Sequence, residues 1–212
     1  MTRAQRACLL HGIYVIVNES PRAEQIARAA VDAGIRILQY RAKRGIDPRH
    51  LRALRALADE RNALLLVDDD WRAALALRCD GVHLGPGDDG FDDLARVRSA
   101  LGELLLGVSC ADANEMRAAE AGGADYAGVG SVFSTASKSD AGTPIGIPGL
   151  CGIAAAARLP VAAIGGITAE NLRDVKASGV AMAATISAIA DAADPARAAR
   201  EMLRIWNDVE IP

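Results

Sequence analysis

A single-domain (β/α)8 barrel is the fold this sequence predicts, and three observations predict it. Eight short apolar runs recur along 212 residues. Segments with apolar residues at helical spacing separate them, and loops rich in glycine or hydroxyls follow the later runs. Strands that alternate with helices pair in parallel through crossovers, which makes an α/β fold. Eight such units in about 200 residues match the lower size range of the barrel. A doubly wound sheet competes, but it usually has about five to seven strands and a Gly-rich first turn. Here the first turn reads Val17-Asn-Glu-Ser-Pro21, without glycine. No linker or low-complexity run divides residues 1–212.

The expected strands are Gly12–Val17, Ile35–Tyr40, Ala63–Val67, Gly81–Leu84, Leu104–Val108, Tyr126–Val129, Val161–Ile164 and Val180–Thr185. Between them, Ile26, Ala29, Ala30 and Ala33 share one helical face, as do Leu51, Leu54 and Ala58, and Leu94, Val97 and Leu101. Asp47-Pro48 and Asp194-Pro195 are helix starts, with the acid as cap and proline in the first turn. Ser20-Pro21 reads the same way, and Thr168-Ala-Glu-Asn171 opens another helix.

Composition excludes several classes. Apolar content of 51% with 24% charged residues is that of a globular chain rather than a disordered one. Aromatics at 3% leave little for a base-stacking surface, and a net charge of −3 without a basic run argues against nucleic acid as a partner. Phosphates are then expected in a pocket. Cys8, Cys79, Cys110 and Cys151 form no C-x-x-C pair, so neither zinc nor a disulfide framework is indicated. No apolar run approaches the ~20 residues that span a bilayer, and Met1–Leu10 is no signal peptide. A cytoplasmic protein without a membrane partner is expected; a homo-oligomer is compatible with the sequence.

The chemistry concentrates after the strands, where loops of a barrel converge on one face. Gly128-Val-Gly-Ser-Val-Phe-Ser-Thr-Ala-Ser-Lys138 and Ala163-Ile-Gly-Gly-Ile167 are strand-to-loop segments rich in backbone N–H groups, hydroxyls and a cation, which suits a phosphate or diphosphate. Alternation puts Gln39, Arg41 and Lys43 on one side of the second strand's end. Asp68-Asp-Asp70 follows the third strand and Asp88 the fourth. Carboxylates on neighbouring strand ends can share Mg2+, completed by substrate phosphate oxygens. The triplet also reads as an N-cap cluster, a task for Asp68 or Asp70, because Trp71-Arg-Ala-Ala follows. His83, flanked by Val82 and Leu84, reads as a hydrogen-bonded core residue rather than a base. Ser109 offers a hydroxyl, and Cys110 has no partner to activate it.

In order along nearly the whole chain, these segments resemble thiamine phosphate synthases. The resemblance rests on Gln39-Tyr-Arg-Ala-Lys43, Asp68-Asp-Asp-Trp71, Asp80-Gly-Val-His-Leu-Gly85 with Asp88, Gly107-Val-Ser109, Asp125-Tyr126, Gly130 to Lys138, Ala163 to Ile167 and Ile186-Ser-Ala-Ile189. It implies a Mg2+-dependent transferase that joins a pyrimidine diphosphate to a thiazole phosphate, releases diphosphate and passes through a carbocation-like pyrimidine methylene. By the same resemblance Arg41, Lys43 and nearby Gln39 hold the diphosphate, and Asp69 and Asp88 bind Mg2+. Asp68 stands where a neutral neighbour of the diphosphate is usual. Ser109 and Lys138 contact diphosphate or pyrimidine. Thr135, Ser137, Gly166, Ile186 and Ser187 meet the thiazole phosphate.

Four positions depart from the family's usual pattern. Asp68 replaces an Asn, Pro86 a Gln, Ser137 a Thr, and Ala111 a His. Related thiazole tautomerases share the barrel and use a histidine at the last position, so Ala111 argues against their proton-transfer chemistry. A barrel that binds phosphate ligands with little turnover is the rival of another class. Asp68 favours it, whereas the paired metal carboxylates speak against it.

Overall fold

Period-two alternation along eight parallel strands sorts the apolar residues into two cores. In the computed structural model, which describes residues 1–135, 137 and 142–208, the strands close into a barrel in sequence order. They are β1 (Gly12–Asn18), β2 (Ile37–Arg41), β3 (Leu64–Asp68), β4 (Gly81–Leu84), β5 (Leu105–Cys110), β6 (Tyr126–Val129), β7 (Val161–Ile164) and β8 (Met182–Thr185). β8 returns to β1 through Gly12 opposite Met182 and Val15 opposite Thr185, which leaves no sheet edge.

Outward-facing residues such as Val15, Leu38, Val67, Val82, Val108 and Val129 pack under the helices as the main core. Inward-facing Tyr14, Ile16, Ile37, Leu64, Leu66, Leu105, Tyr126, Ala162, Met182 and Ala184 fill the barrel interior. Each fully buried aliphatic side chain contributes about 1.5–3 kcal/mol. Interior glycines make room for the few large rings. A Cβ on Gly107 would overlap the Tyr126 ring, and one on Gly128 would sit 2.9 Å from His83.

The helices are α1 (Arg3–Ala7), α2 (Ala23–Ala33), α3 (Pro48–Arg61), α4 (Trp71–Ala76), α5 (Leu94–Leu101), α6 (Ala113–Ala121), α7 (Gly146–Ala156), α8 (Leu172–Ala177), α9 (Ser187–Ala190) and α10 (Pro195–Asp208). None among the described residues is long and apolar enough to cross a membrane. Asp47 caps α3, with Pro48 in its first turn, and α10 begins at Pro195 with Asp194 accepting from the Arg197 N–H. Two expected starts fall elsewhere. Ser20-Pro21 forms a turn and α2 begins at Ala23, while Thr168–Asn171 is a loop before α8. In that loop Asn171 accepts from the Thr168 N–H and donates to the Gly166 carbonyl, so its capping chemistry is used sideways.

The N-terminal end of the barrel is closed by α1, capped reciprocally by Thr2 and Gln5. Its Arg3 meets Asp125 at 2.6 Å and its Arg6 meets Asp80 at 2.9 Å, while Leu10 enters the interior core. Asp80 and Asp125 are buried yet fully engaged. Asp80 also accepts from Arg55 and the Leu65 N–H, and Asp125 from Arg98 and the Leu106 N–H. These two buried carboxylates anchor the N-terminal end, and the opposite end carries the cavity.

Candidate active site

Alternation that sends apolar side chains inward deep in the barrel sends polar ones inward at the strand ends. Gln39 and Arg41 of β2, Asp68 of β3, His83 of β4 and Ser109 of β5 all face a cavity of about 570 Å³. Strands and following loops contribute from all eight units. Lys43, Asp69 and Asp88 complete one wall. Thr135, Ser137, Gly166, Ile186 and Ser187 line the other. Every residue expected from the sequence therefore meets at this cavity except Lys138, which lies outside the described residues.

The first wall is a compact charge cluster. Asp68 Oδ2 is 3.3 Å from both Arg41 Nε and Lys43 Nζ, and Lys43 Nζ is 2.6 Å from Asp69 Oδ2. Arg41 also donates to Asn18 Oδ1 at 3.2 Å. Burial, reinforced by the neighbouring Asp69 charge, pushes Asp68 up to about 6 despite its two cations. Burial would raise Asp69 too, but the Lys43 hydrogen bond holds it below its ordinary value. Asp88 is raised, chiefly by burial and by Asp69, although it accepts from the Gly85 N–H at 2.7 Å. Asp70 turns away and caps α4 through the Ala73 N–H, which divides the triplet between a helix and a site.

This cluster suits a hard divalent cation. The Asp69 and Asp88 carboxylates are near enough to perturb each other's protonation, and two carboxylates so placed favour a proton or a cation between them. Asp68 Oδ2 is buried without a hydrogen bond, although two cations approach it. No group of three or more His, Cys, Asp or Glu side chains with metal-holding geometry occurs among the described residues. Two carboxylates suffice for Mg2+ when waters and substrate phosphates supply the remaining oxygens.

The second wall is made of backbone and hydroxyls. Gly165 and Gly166 adopt φ of 103° and 64°, conformations that glycine reaches without strain. They are laced to the loop after β6, because Val132 and Phe133 donate to the Ile164 and Gly165 carbonyls at 2.9 and 3.0 Å. A Cβ on Gly166 would lie 2.6 Å from the Ser134 carbonyl. The Ser137 N–H turns to Thr135 Oγ1 at 3.2 Å, keeping both residues at the cavity.

A buried polar chain supports the floor. Tyr14 and Tyr126 hydroxyls are 2.9 Å apart; Tyr126 is 3.1 Å from His83 Nδ1, and His83 Nε2 is 3.0 Å from Ser109 Oγ. His83 is hydrogen-bonded, as its sequence setting suggested, and it also lines the cavity. Its link to Tyr14 and Tyr126 spans distant strands and has no local sequence signal. Burial pushes the Cys110 thiol up to about 12, in keeping with an inert residue. Ala111 lines the cavity with no acid–base group of its own.

Known proteins resemble this chain in sequence and fold over most of its length. A family model described as thiamine monophosphate synthase matches residues 13–189. The sequence is 42% identical over 188 residues to a thiamine-phosphate synthase of Moorella thermoacetica, covering 85% of this chain and 87% of that protein. It is also 42% identical over 186 residues to one from Archaeoglobus fulgidus, covering 86% of each. Among solved structures, a thiamine phosphate pyrophosphorylase from Pyrococcus furiosus superposes with a TM-score of 0.84 at 36% identity, covering 94% of this chain and 96% of that one.

Proposed function

Because the chain belongs to the thiamine monophosphate synthase family, we propose that it transfers the pyrimidinylmethyl group of hydroxymethylpyrimidine diphosphate to hydroxyethylthiazole phosphate, forming thiamine phosphate. The observation that carries this reading is the two-walled cavity. Two cations and three carboxylates stand on one side, with a hydroxyl and backbone phosphate cradle on the other.

In this reading the bond from the pyrimidine methylene to the diphosphate oxygen breaks heterolytically, and its electron pair leaves with diphosphate. The thiazole nitrogen then donates its lone pair to the methylene, and the new C–N bond completes thiamine phosphate. Leaving-group charge must be met by groups already in place, which makes electrostatic preorganisation the main source of acceleration. Arg41 and Lys43 supply that positive charge, with Lys138 as a third cation and Gln39 beside them. Asp69 and Asp88 would hold Mg2+, which when bound neutralises diphosphate oxygens. Ser109, oriented by His83, contacts the pyrimidine side. Thr135, Ser137, Gly166, Ile186 and Ser187 grip the phosphate that stays on the thiazole, so that its nitrogen approaches in line. No side-chain nucleophile is needed, and apolar neighbours such as Ile164 and Ile186 exclude water from an electron-poor methylene. The partners are thus two small phosphorylated molecules, with no nucleic acid or membrane, and the setting is cytoplasmic.

Steady-state kinetics test the division into walls. Arg41→Ala is expected to raise KM for the pyrimidine diphosphate at least about tenfold and leave that for thiazole phosphate within about twofold, as for loss of a charge-assisted hydrogen bond. Ser137→Ala should do the reverse, more weakly. Equal effects of each variant on both substrates would remove the two-walled assignment.

A further inference from the structure

The carboxylates read above as cation ligands sit on two exposed loops, and a side-chain clamp joins those loops at their outer edge. The Trp71 indole N–H, two residues beyond Asp69, donates to Asp89 Oδ2 at 3.0 Å, and Asp89 directly follows Asp88. Arg72 donates to the same carboxylate oxygen, and Arg96 lies 3.4 Å from the other. Both guanidinium groups stack over the Trp71 ring, 4.3 and 5.7 Å from its centroid. Gly90, at φ 90°, seats the loop so closely that a Cβ there would run into Val97 and lie 3.6 Å from Trp71 Nε1.

We propose that the Trp71–Asp89 clamp is a positioning device that sets the spacing of Asp69 and Asp88, and through it the affinity of the site for a divalent cation. The physical need is clear from the ligands themselves. Asp69 is a non-glycine residue at φ 65°, a conformation that persists only where its surroundings hold it. Its N–H is tied to the His83 carbonyl at 2.9 Å on the inner side, and Asp88 is tied to Gly85. Two neighbouring carboxylates that perturb each other repel whenever no cation or proton lies between them, and the clamp opposes their separation from the outer side. Without it the loops relax apart before the cation arrives, and binding must bring them back.

Groups that orient metal ligands typically change affinity by about 10–100-fold when lost. An exposed clamp acting one or two residues away should sit below that range, at about 3–10-fold. The inference rests on Asp69 and Asp88 being the ligands, so its test separates the two ideas. Mn2+ binding to the substrate-free protein is measured by electron paramagnetic resonance of free Mn2+, for wild type, Asp88→Asn, Trp71→Phe, Asp89→Ala, Asp89→Asn and the Trp71→Phe/Asp89→Ala double variant. The clamp predicts a Kd raised about 3–10-fold in Trp71→Phe and in Asp89→Ala. The double variant should be no weaker than the singles, and Asp89→Asn, which keeps an acceptor for the indole, should recover most of the loss. Wild-type affinity in Trp71→Phe and Asp89→Ala, with binding lost in Asp88→Asn, overturns the clamp alone. Equal affinity in wild type and Asp88→Asn overturns the ligand reading and the clamp with it. Additive losses in the double variant also overturn it, since they would mean the two side chains act separately.

Discussion

Asp68→Asn removes the carboxylate paired with Arg41 and Lys43, the two cations proposed to receive the diphosphate. In the substrate-free protein Asp68 Oδ2 stands 3.3 Å from Arg41 and from Lys43, and its side chain is only 9% exposed. A diphosphate arriving at those cations places its own charge within ~5 Å of Asp68, where a unit pair at an effective dielectric of about 20 repels by about 3 kcal/mol. Lys43 is 46% exposed, so solvent screening reduces this, and a net gain of about 1–2 kcal/mol is expected on removing the charge. That predicts a KM for pyrimidine diphosphate lowered roughly 5–30-fold, with half-maximal rate reached at a lower Mg2+ concentration. The assay is steady-state turnover of both proteins across a Mg2+ series. An unchanged Mg2+ dependence would refute the reasoning, because the surplus charge would then have no counterion role. Stability provides an independent check. Burial raises the folded-state value of Asp68 to about 6 from 3.8, so its charge disfavours the folded state above about pH 6, and the penalty fades as pH falls toward 4. Without metal, Asp68→Asn should melt higher than wild type at pH 7–8, by at most about 3 kcal/mol, and lose that advantage by about pH 4.

Other substitutions probe the rest of the account. Asp80→Asn leaves Arg6 and Arg55 without their buried carboxylate and should cost about 3–5 kcal/mol, lowering Tm by about 6–20 °C without altering KM for either substrate. Gly166→Ala forces a side chain into φ 64° and against the Ser134 carbonyl; KM for thiazole phosphate should rise about 5–150-fold, as for a strain of about 1–3 kcal/mol. Lys138→Ala should lower kcat by about 10²-fold at unchanged Tm, as expected for one transition-state charge partner, and near-native rates would remove Lys138 from the site.

Much of this molecule was legible from local patterns, and what was missed shares a cause. The eight strands and their order follow from apolar runs, whose edges shift because Ile35, Ala63 and Val180, which are buried, and Leu104, which is partly buried, lie just before the strands rather than in them. Alternation placed Gln39, Arg41 and Lys43 together, and all three line the cavity. Asp70 and Asp47 cap helices as their positions suggested, since a cap is decided within three residues. The Ser20-Pro21 signal was a turn of the same chemistry, which a few residues cannot distinguish from a helix start. Pairings across the fold left no such trace. Arg3 with Asp125, Tyr14 with Tyr126 and Asn171 with the Gly166 carbonyl are set by closure of the barrel and by loop packing. That the described candidate residues gather at one cavity was legible from their places after strands. Their electrostatics were not, because the rise of Asp68 depends on burial and on Asp69 in three dimensions.

The most direct measurement follows thiamine phosphate and diphosphate together in a reaction containing the protein, both phosphorylated partners and Mg2+. The account predicts equal amounts of the two products, appearing only when both substrates are present and falling sharply in Arg41→Ala. Ligand-induced shifts in melting temperature with neither product formed, or diphosphate released without thiamine phosphate, would contradict it.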